Sequence, residues 1–227
     1  MWWIDSGYIM FVLPALLLTL WAQANVSGTY SKFSKVYSRR GITAAEAARS
    51  ILDRNGLQHV AIGRTGGKLT DHFNPKTNVV NLSDTTYSST SVAAIGVAAH
   101  EVGHAIQYAQ GYTPIRIRNS IVPVVNIASQ AAIPLFIIGL LFNSGVMMDV
   151  GIWFFTVAVA FQFVTLPVEF NASRRAIAIL DSDYILEEEE VQGAKKVLRA
   201  AAMTYVAAAA MAVAQLLRLL VARGNRD

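Results

Sequence analysis

The sequence contains no cysteine. That absence excludes disulfides and every thiolate metal site, so a metal could be held only by histidine, carboxylate or water. It says nothing of compartment. Charge is also scarce: Asp, Glu, Lys and Arg make up 15% of the 227 residues, against roughly a quarter in soluble domains. With 54% hydrophobic residues and a mean hydropathy of +0.40, the chain reads as a membrane protein with one modest aqueous part. The balance of charge is basic, at a net +4 and a pI of about 9.4. The basic residues are dispersed, with few aromatics among them, which argues against a nucleic-acid partner. Basic cytoplasmic loops explain the balance more simply. Internal repeats and low-complexity tracts are lacking too.

What the chain does have is long apolar runs. Residues 8–24, "YIMFVLPALLLTLWAQA", resemble a signal peptide with Ala22-Gln23-Ala24 as a cleavage site. The preceding "MWWIDSG" carries no Lys or Arg, however, so an uncleaved anchor is expected. Trp2, Trp3 and Tyr8 suit an interfacial belt. Residues 121–142 and 150–166 are two further spans, and their short connection predicts an antiparallel hairpin. Residues 200–222 are a fourth candidate, rich in Ala and carrying Arg218; they form either a span or a buried helix.

Charge orients these spans. Eleven of the 19 Lys and Arg lie between residues 25 and 120 and five between 168 and 199. The N-terminus and the 143–149 loop hold only Asp5 and Asp149. The positive-inside rule puts both charged regions on the cytoplasmic side. A spanning 200–222 would then leave Arg223 and Arg226 on the other side, against that rule.

The stretch between the first two spans carries folding signals. Thr43 and Glu46 form a capping box before "AARSILDR", and Asn55-Gly56 end that helix. "LQHVAIG" reads as a strand and "RTGG" as a turn; "KLTDHF" and "VVNLS" follow around Asn74-Pro75. "SSTS" caps a long helix from about 91 to 110, stopped at Gly111. The run Glu187–Glu190 reads as a solvated helix start complementing the macrodipole.

Within that long helix lies "VAAHEVGHAIQ". His100 and His104 fall one turn apart on one face, where two imidazoles can bind one Zn²⁺. Glu101 is rotated by about 100° and reaches the side where a bound water would sit. This is the H-E-x-x-H arrangement of zincins. The surrounding residues are apolar or small around the whole circumference, so the helix is expected to be buried. Buried His and Glu are costly unless paired or metal-bound. A third ligand must come from His59, His72, Asp or Glu. The best candidate is Glu169 in "LPVEFNASRRAIAIL", and its structural alternative is a carboxylate paired with Arg174 or Arg175. Two His and a carboxylate would also accept Fe²⁺, Mn²⁺ or Co²⁺.

"GVAAHEVGHAIQ", "VEFNASRRA" and "KLTDHFNPKTNVVNLS" together resemble the YugP-like family of membrane-bound neutral zinc metallopeptidases, over about residues 7–220. More distantly, H-E-x-x-H with E-x-x-A downstream is similar to the HtpX and CAAX prenyl protease group. The resemblance implies one zinc per chain, with His100, His104 and Glu169 as ligands and Glu101 as general base. Where the distant group has Asp four residues after its ligand Glu, this chain has Ser173, whose hydroxyl can still hydrogen-bond. His72, Tyr205, Arg174 and Arg175 are candidates for an oxyanion donor, with His72 read slightly in favour of a turn residue. The family likeness also suggests that a strand around 69–73 or 79–82 offers its edge to an extended peptide.

The expected fold is therefore mostly α: three to four transmembrane helices with a small zincin-like α+β metallopeptidase domain at the membrane surface. Residues 1–24 would be an anchor and 25–120 an aqueous catalytic part. Residues 121–166 would be a transmembrane hairpin, and 167–227 the third-ligand helix with a C-terminal apolar helix. The expected activity is zinc-dependent hydrolysis of membrane or unfolded proteins, with the lipid bilayer as the other partner. A metal-stabilised scaffold or adaptor without turnover is the alternative, disfavoured because such a site has no need of Glu101. A transporter is weaker still, since the spans of 121–166 carry no charge outside the loop.

Overall fold

A computed structural model describes residues 6–224. Trp2, Trp3, Asp5 and Arg226 lie outside the described residues. A π-helical turn, Tyr8–Val12, leads into α1 (Leu13–Phe33). Then come α2 (Ala44–Arg54), β1 (Ala61–Thr65), β2 (His72–Asn74), β3 (Val79–Ser83) and α3 (Val92–Ala109). Three long helices complete the chain: α4 (Thr113–Leu141), α5 (Gly145–Ser182) and α6 (Glu188–Gly224). The protein is thus mostly helical with one small three-stranded sheet. Four helical stretches, Tyr8–Phe33, α4, α5 and α6, are long and apolar enough to cross a membrane. The fourth candidate therefore qualifies by length and composition. The helices outrun their apolar segments: α1 continues from the expected 8–24 to Phe33, and α5 from 150–166 to Ser182.

The chain divides into two compact units. One comprises the described residues up to Gln23, Arg116–Pro167, and those from Met203 on. In it α4 and α5 form the expected antiparallel pair, joined by a turn with Asn143 at φ +52°. Two glycines let the helices touch. A Cβ on Gly139 would sit 2.6 Å from the Met148 amide nitrogen, and one on Gly151 would sit 2.8 Å from the Ala132 carbonyl. Close backbone approach through small residues is how apolar helices associate where lipid removes the hydrophobic drive. Arg223, near the end of α6, donates to Asp149 at 2.9 Å. That ion pair sets the last turn of α6 beside the α4–α5 turn.

The second unit comprises Ala24–Ile115 and Val168–Ala202. Its sheet has the order β1-β3-β2, with β1 parallel and β2 antiparallel to β3. β3 matches "VVNLS", but "LQHVAIG" does not form a strand throughout. The Gly56 N–H bonds the Asp53 carbonyl at 3.2 Å and the Leu57 N–H bonds the Leu52 carbonyl at 2.9 Å, with Gly56 at φ +73°. These are the paired bonds of a Schellman stop. Leu57 is buried as its apolar plug, so the strand starts only at Ala61. Arg64 and Thr65, read as turn, complete β1. "KLTDHF" contributes a strand only from His72, because the Asp71 carboxylate turns back to accept from the Ser83 N–H and hydroxyl. The Thr43–Glu46 capping box is present, with its bonds holding the Glu46 carboxyl below its ordinary pKa. Glu190 is not solvated as expected. It is buried and accepts from the Arg39 and Glu187 amides at 2.7 and 2.9 Å, tying the 34–41 segment to the start of α6.

The core of this unit surrounds α3. Ile95, Val102 and Ile106 pack with Ile51 and Leu52 of α2, Val80 and Leu82 of β3, Leu180 of α5 and Leu198 of α6. Hence α3 is apolar on all sides, and each polar side chain on it requires a partner.

Candidate metal centre

The helix that carries the site begins at Ser91, whose hydroxyl accepts the Ala94 N–H at 3.2 Å. Two turns on, His100 and His104 stand edge to face, with ring centroids 4.7 Å apart. Helix α5 runs alongside and delivers Glu169, which is 2% exposed. Glu169 Oε2 lies 3.2 Å from His100 Nε2 and 3.5 Å from His104 Nε2. One ligand atom from each of the three residues lies within 4.8 Å of the others.

The far side of each ring is anchored. His100 Nδ1 lies 3.1 Å from Ser173 Oγ, and His104 Nδ1 lies 3.0 Å from Gln107 Oε1. Both Nε2 atoms are thereby left to converge on the carboxylate. Two imidazole nitrogens and one carboxylate oxygen, with the rings held from behind, form a donor set that fits Zn²⁺ with one position open. Burial opposes the charged form of His104, but the hydrogen bond to Glu169, the charges of Glu101 and Glu169 and the bond to Gln107 outweigh it. Its pKa is raised above the ordinary histidine value.

Glu101 is not in that ligand group. Its Oε2 accepts the Phe73 backbone N–H at 3.1 Å, so β2 orients it. Phe73 also meets Tyr108 edge to face at 6.2 Å, closing the contact between β2 and α3.

The remaining candidates fall as follows. Ser173 reaches His100. Arg175 bonds Asn171 and Gln110, each at 2.7 Å, and these contacts engage it away from Glu169. Arg174 and His59 are exposed. His72 is exposed on β2, its ring 2.9 Å from the Thr70 carbonyl and 3.3 Å from the Asn81 amide. Tyr205 belongs to the other compact unit.

Three features escaped the sequence reading. Gln107 and Asn171 bond each other at 2.9 Å behind His104; an uncharged amide in the otherwise apolar "HAIQ" was the available signal. The Phe73 amide is backbone and leaves no mark in the sequence. The third is Gly103, the residue before His104. A Cβ there would sit 2.8 Å from the Ala172 carbonyl oxygen and 3.3 Å from its Cα. Only a glycine lets α5 come close enough to bring Glu169 and Ser173 to the rings. Gly103→Val should therefore cost about 1–3 kcal/mol through overpacking against rigid backbone. It should lower the thermal midpoint by several degrees and reduce zinc occupancy. An unchanged midpoint with full occupancy would contradict the close-packing account. Gly28→Val, with nothing within 4 Å of its new Cβ, is the matched control.

Residues 8–224 match the model of a family described as "Putative neutral zinc metallopeptidase". The chain is 47% identical over 214 residues to the "Putative membrane protease YugP" of Bacillus subtilis (strain 168), covering 94% of this chain and 95% of that one. No solved structure is significantly similar to it.

Proposed function

The chain belongs to the "Putative neutral zinc metallopeptidase" family, and from that premise we propose that it is an integral-membrane zinc endopeptidase acting on membrane or unfolded proteins. The observation that carries this reading is the convergence of His100, His104 and Glu169 beside a carboxylate, Glu101, that is not one of that group.

Zinc, when bound by those three residues, would polarise a substrate carbonyl and make a water a nucleophile near neutral pH. The rest falls to the protein. Glu101 takes a proton from the attacking water and delivers it to the leaving amine. The Phe73 N–H keeps that carboxylate aimed. Ser173 and Gln107 hold the two rings. Of the two strands suggested for peptide docking, β3 is central and has no free edge, whereas β2 is an edge strand. An extended peptide would add to β2, which also holds Glu101. Within the unit that holds the site, His72, Arg174 and Arg175 remain the candidates for an oxyanion donor. The catalytic part, within residues 25–120 together with the third-ligand helix, would lie at the membrane surface. By the positive-inside rule it would face the cytoplasm.

Purified in detergent, the full chain should hold close to one zinc and cleave an unfolded protein such as denatured casein. Chelation should lower the rate by roughly a thousandfold, the scale of several kcal/mol of metal-derived stabilisation. One equivalent of zinc should restore it. Cleavage indifferent to chelation would refute the assignment.

A further inference from the structure

We propose that Gln107 is a positioning residue that locks His104 in the one tautomer able to bind a cation, its own orientation being dictated by the Val168 carbonyl and, through Asn171, by Arg175. The consequence for zinc rests on the metallopeptidase reading; the tautomer itself does not.

Gln107 is fully buried, so it has no water with which to satisfy a misplaced group. Its side-chain nitrogen lies 2.8 Å from the Val168 carbonyl and 2.9 Å from Asn171 Oδ1. A carbonyl can only accept, so the NH₂ end of Gln107 must point that way. The second partner is fixed as well. Asn171 Oδ1 lies 2.7 Å from Arg175 Nε, and a guanidinium can only donate, so the Asn171 atom facing Arg175 and Gln107 is the oxygen. Arg175 is in turn held by Gln110 Oε1 at 2.7 Å. Both amide hydrogens of Gln107 are thus committed. Its oxygen, 3.0 Å from His104 Nδ1, can only accept. His104 must carry a proton on Nδ1, and in the neutral ring Nε2 is then the bare lone pair facing Glu169 Oε2 at 3.5 Å. An obligate donor at one end and an obligate acceptor beside it leave the relay no reversed arrangement. His100, held by a Ser hydroxyl that can donate or accept, has no such constraint from behind. The two ligands are therefore unlike: His104 is fixed and His100 adjustable.

The first test reads the tautomer directly. In the metal-free full chain in detergent, labelled with ¹⁵N-histidine and held above the titration range of His104, the ring should carry its proton on Nδ1. The signal is assigned by its loss in His104→Gln. A proton on Nε2, or a mixture, overturns the proposal, and this result does not depend on whether the protein binds zinc. The second test uses zinc affinity by chelator competition. Gln107→Met keeps the bulk and offers no acceptor, and should bind about 10–100-fold more weakly. A space-filling role predicts native affinity for this variant, and that result overturns the proposal. A native protein that binds no zinc sinks the endopeptidase reading, and the tautomer then decides this one alone.

Discussion

Replacing Glu101 by Gln should lower peptide-bond cleavage by about two to four powers of ten while leaving the zinc in place, the usual contribution of a general acid–base residue. The change is nearly isosteric. The amide oxygen of Gln can still accept the Phe73 N–H that the carboxylate now accepts at 3.1 Å, so β2 and α3 keep their contact. The group of His100, His104 and Glu169, which could hold a metal, is untouched. What disappears is a basic group able to take a proton from water and return it to the leaving amine. Zinc content and cleavage must be measured on the same preparation. Full zinc with lost cleavage assigns the role. Full zinc with native cleavage means that another group is the base. Zinc lost with activity means that Glu101 contributes to holding the metal, contrary to the geometry.

The second large effect is expected at Glu169. Glu169→Gln preserves volume at a site only 2% exposed and removes the charge that faces two imidazoles at 3.2 and 3.5 Å. Breaking one partner of a buried ionic arrangement costs about 3–5 kcal/mol. Set against a bound cation, that is roughly two to four powers of ten in zinc affinity. Chelator competition in detergent measures it. The unit should remain folded, since the core around α3 is apolar and independent of this carboxylate. Zinc bound at native affinity by the Gln variant would place the third ligand elsewhere.

These two residues were legible in different degrees. The spacing of His100, Glu101 and His104 is local, and helical periodicity alone puts two rings on one face and the carboxylate beside them. The caps at Thr43 and Ser91 are equally local and are present as read. Glu169, 65 residues beyond His104, was reached through a family resemblance and its place at the end of an apolar run. No period in the sequence links it to α3. Strand limits were misjudged where a local motif competed with apolar pattern: Leu57 is apolar because it plugs a helix stop, and alternation cannot distinguish that from a strand residue. Glu190 was read as solvated because a charge run usually is. Its burial depends on the 34–41 segment, about 150 residues earlier, supplying an amide.

By itself the sequence determined what depends on near neighbours: which segments are apolar enough to cross a membrane, where the helices capped at Thr43 and Ser91 start, and that two histidines and a glutamate share a buried helix. Only the tertiary structure decided what depends on which backbones approach. Gly103 admits α5 against α3, and that one contact brings Glu169 and Ser173 to the rings and Val168 and Asn171 to Gln107. The physical reason is range. Propensity and periodicity act over a few residues along the chain, whereas a metal site is closed by side chains that meet only when two helices pack at one particular distance.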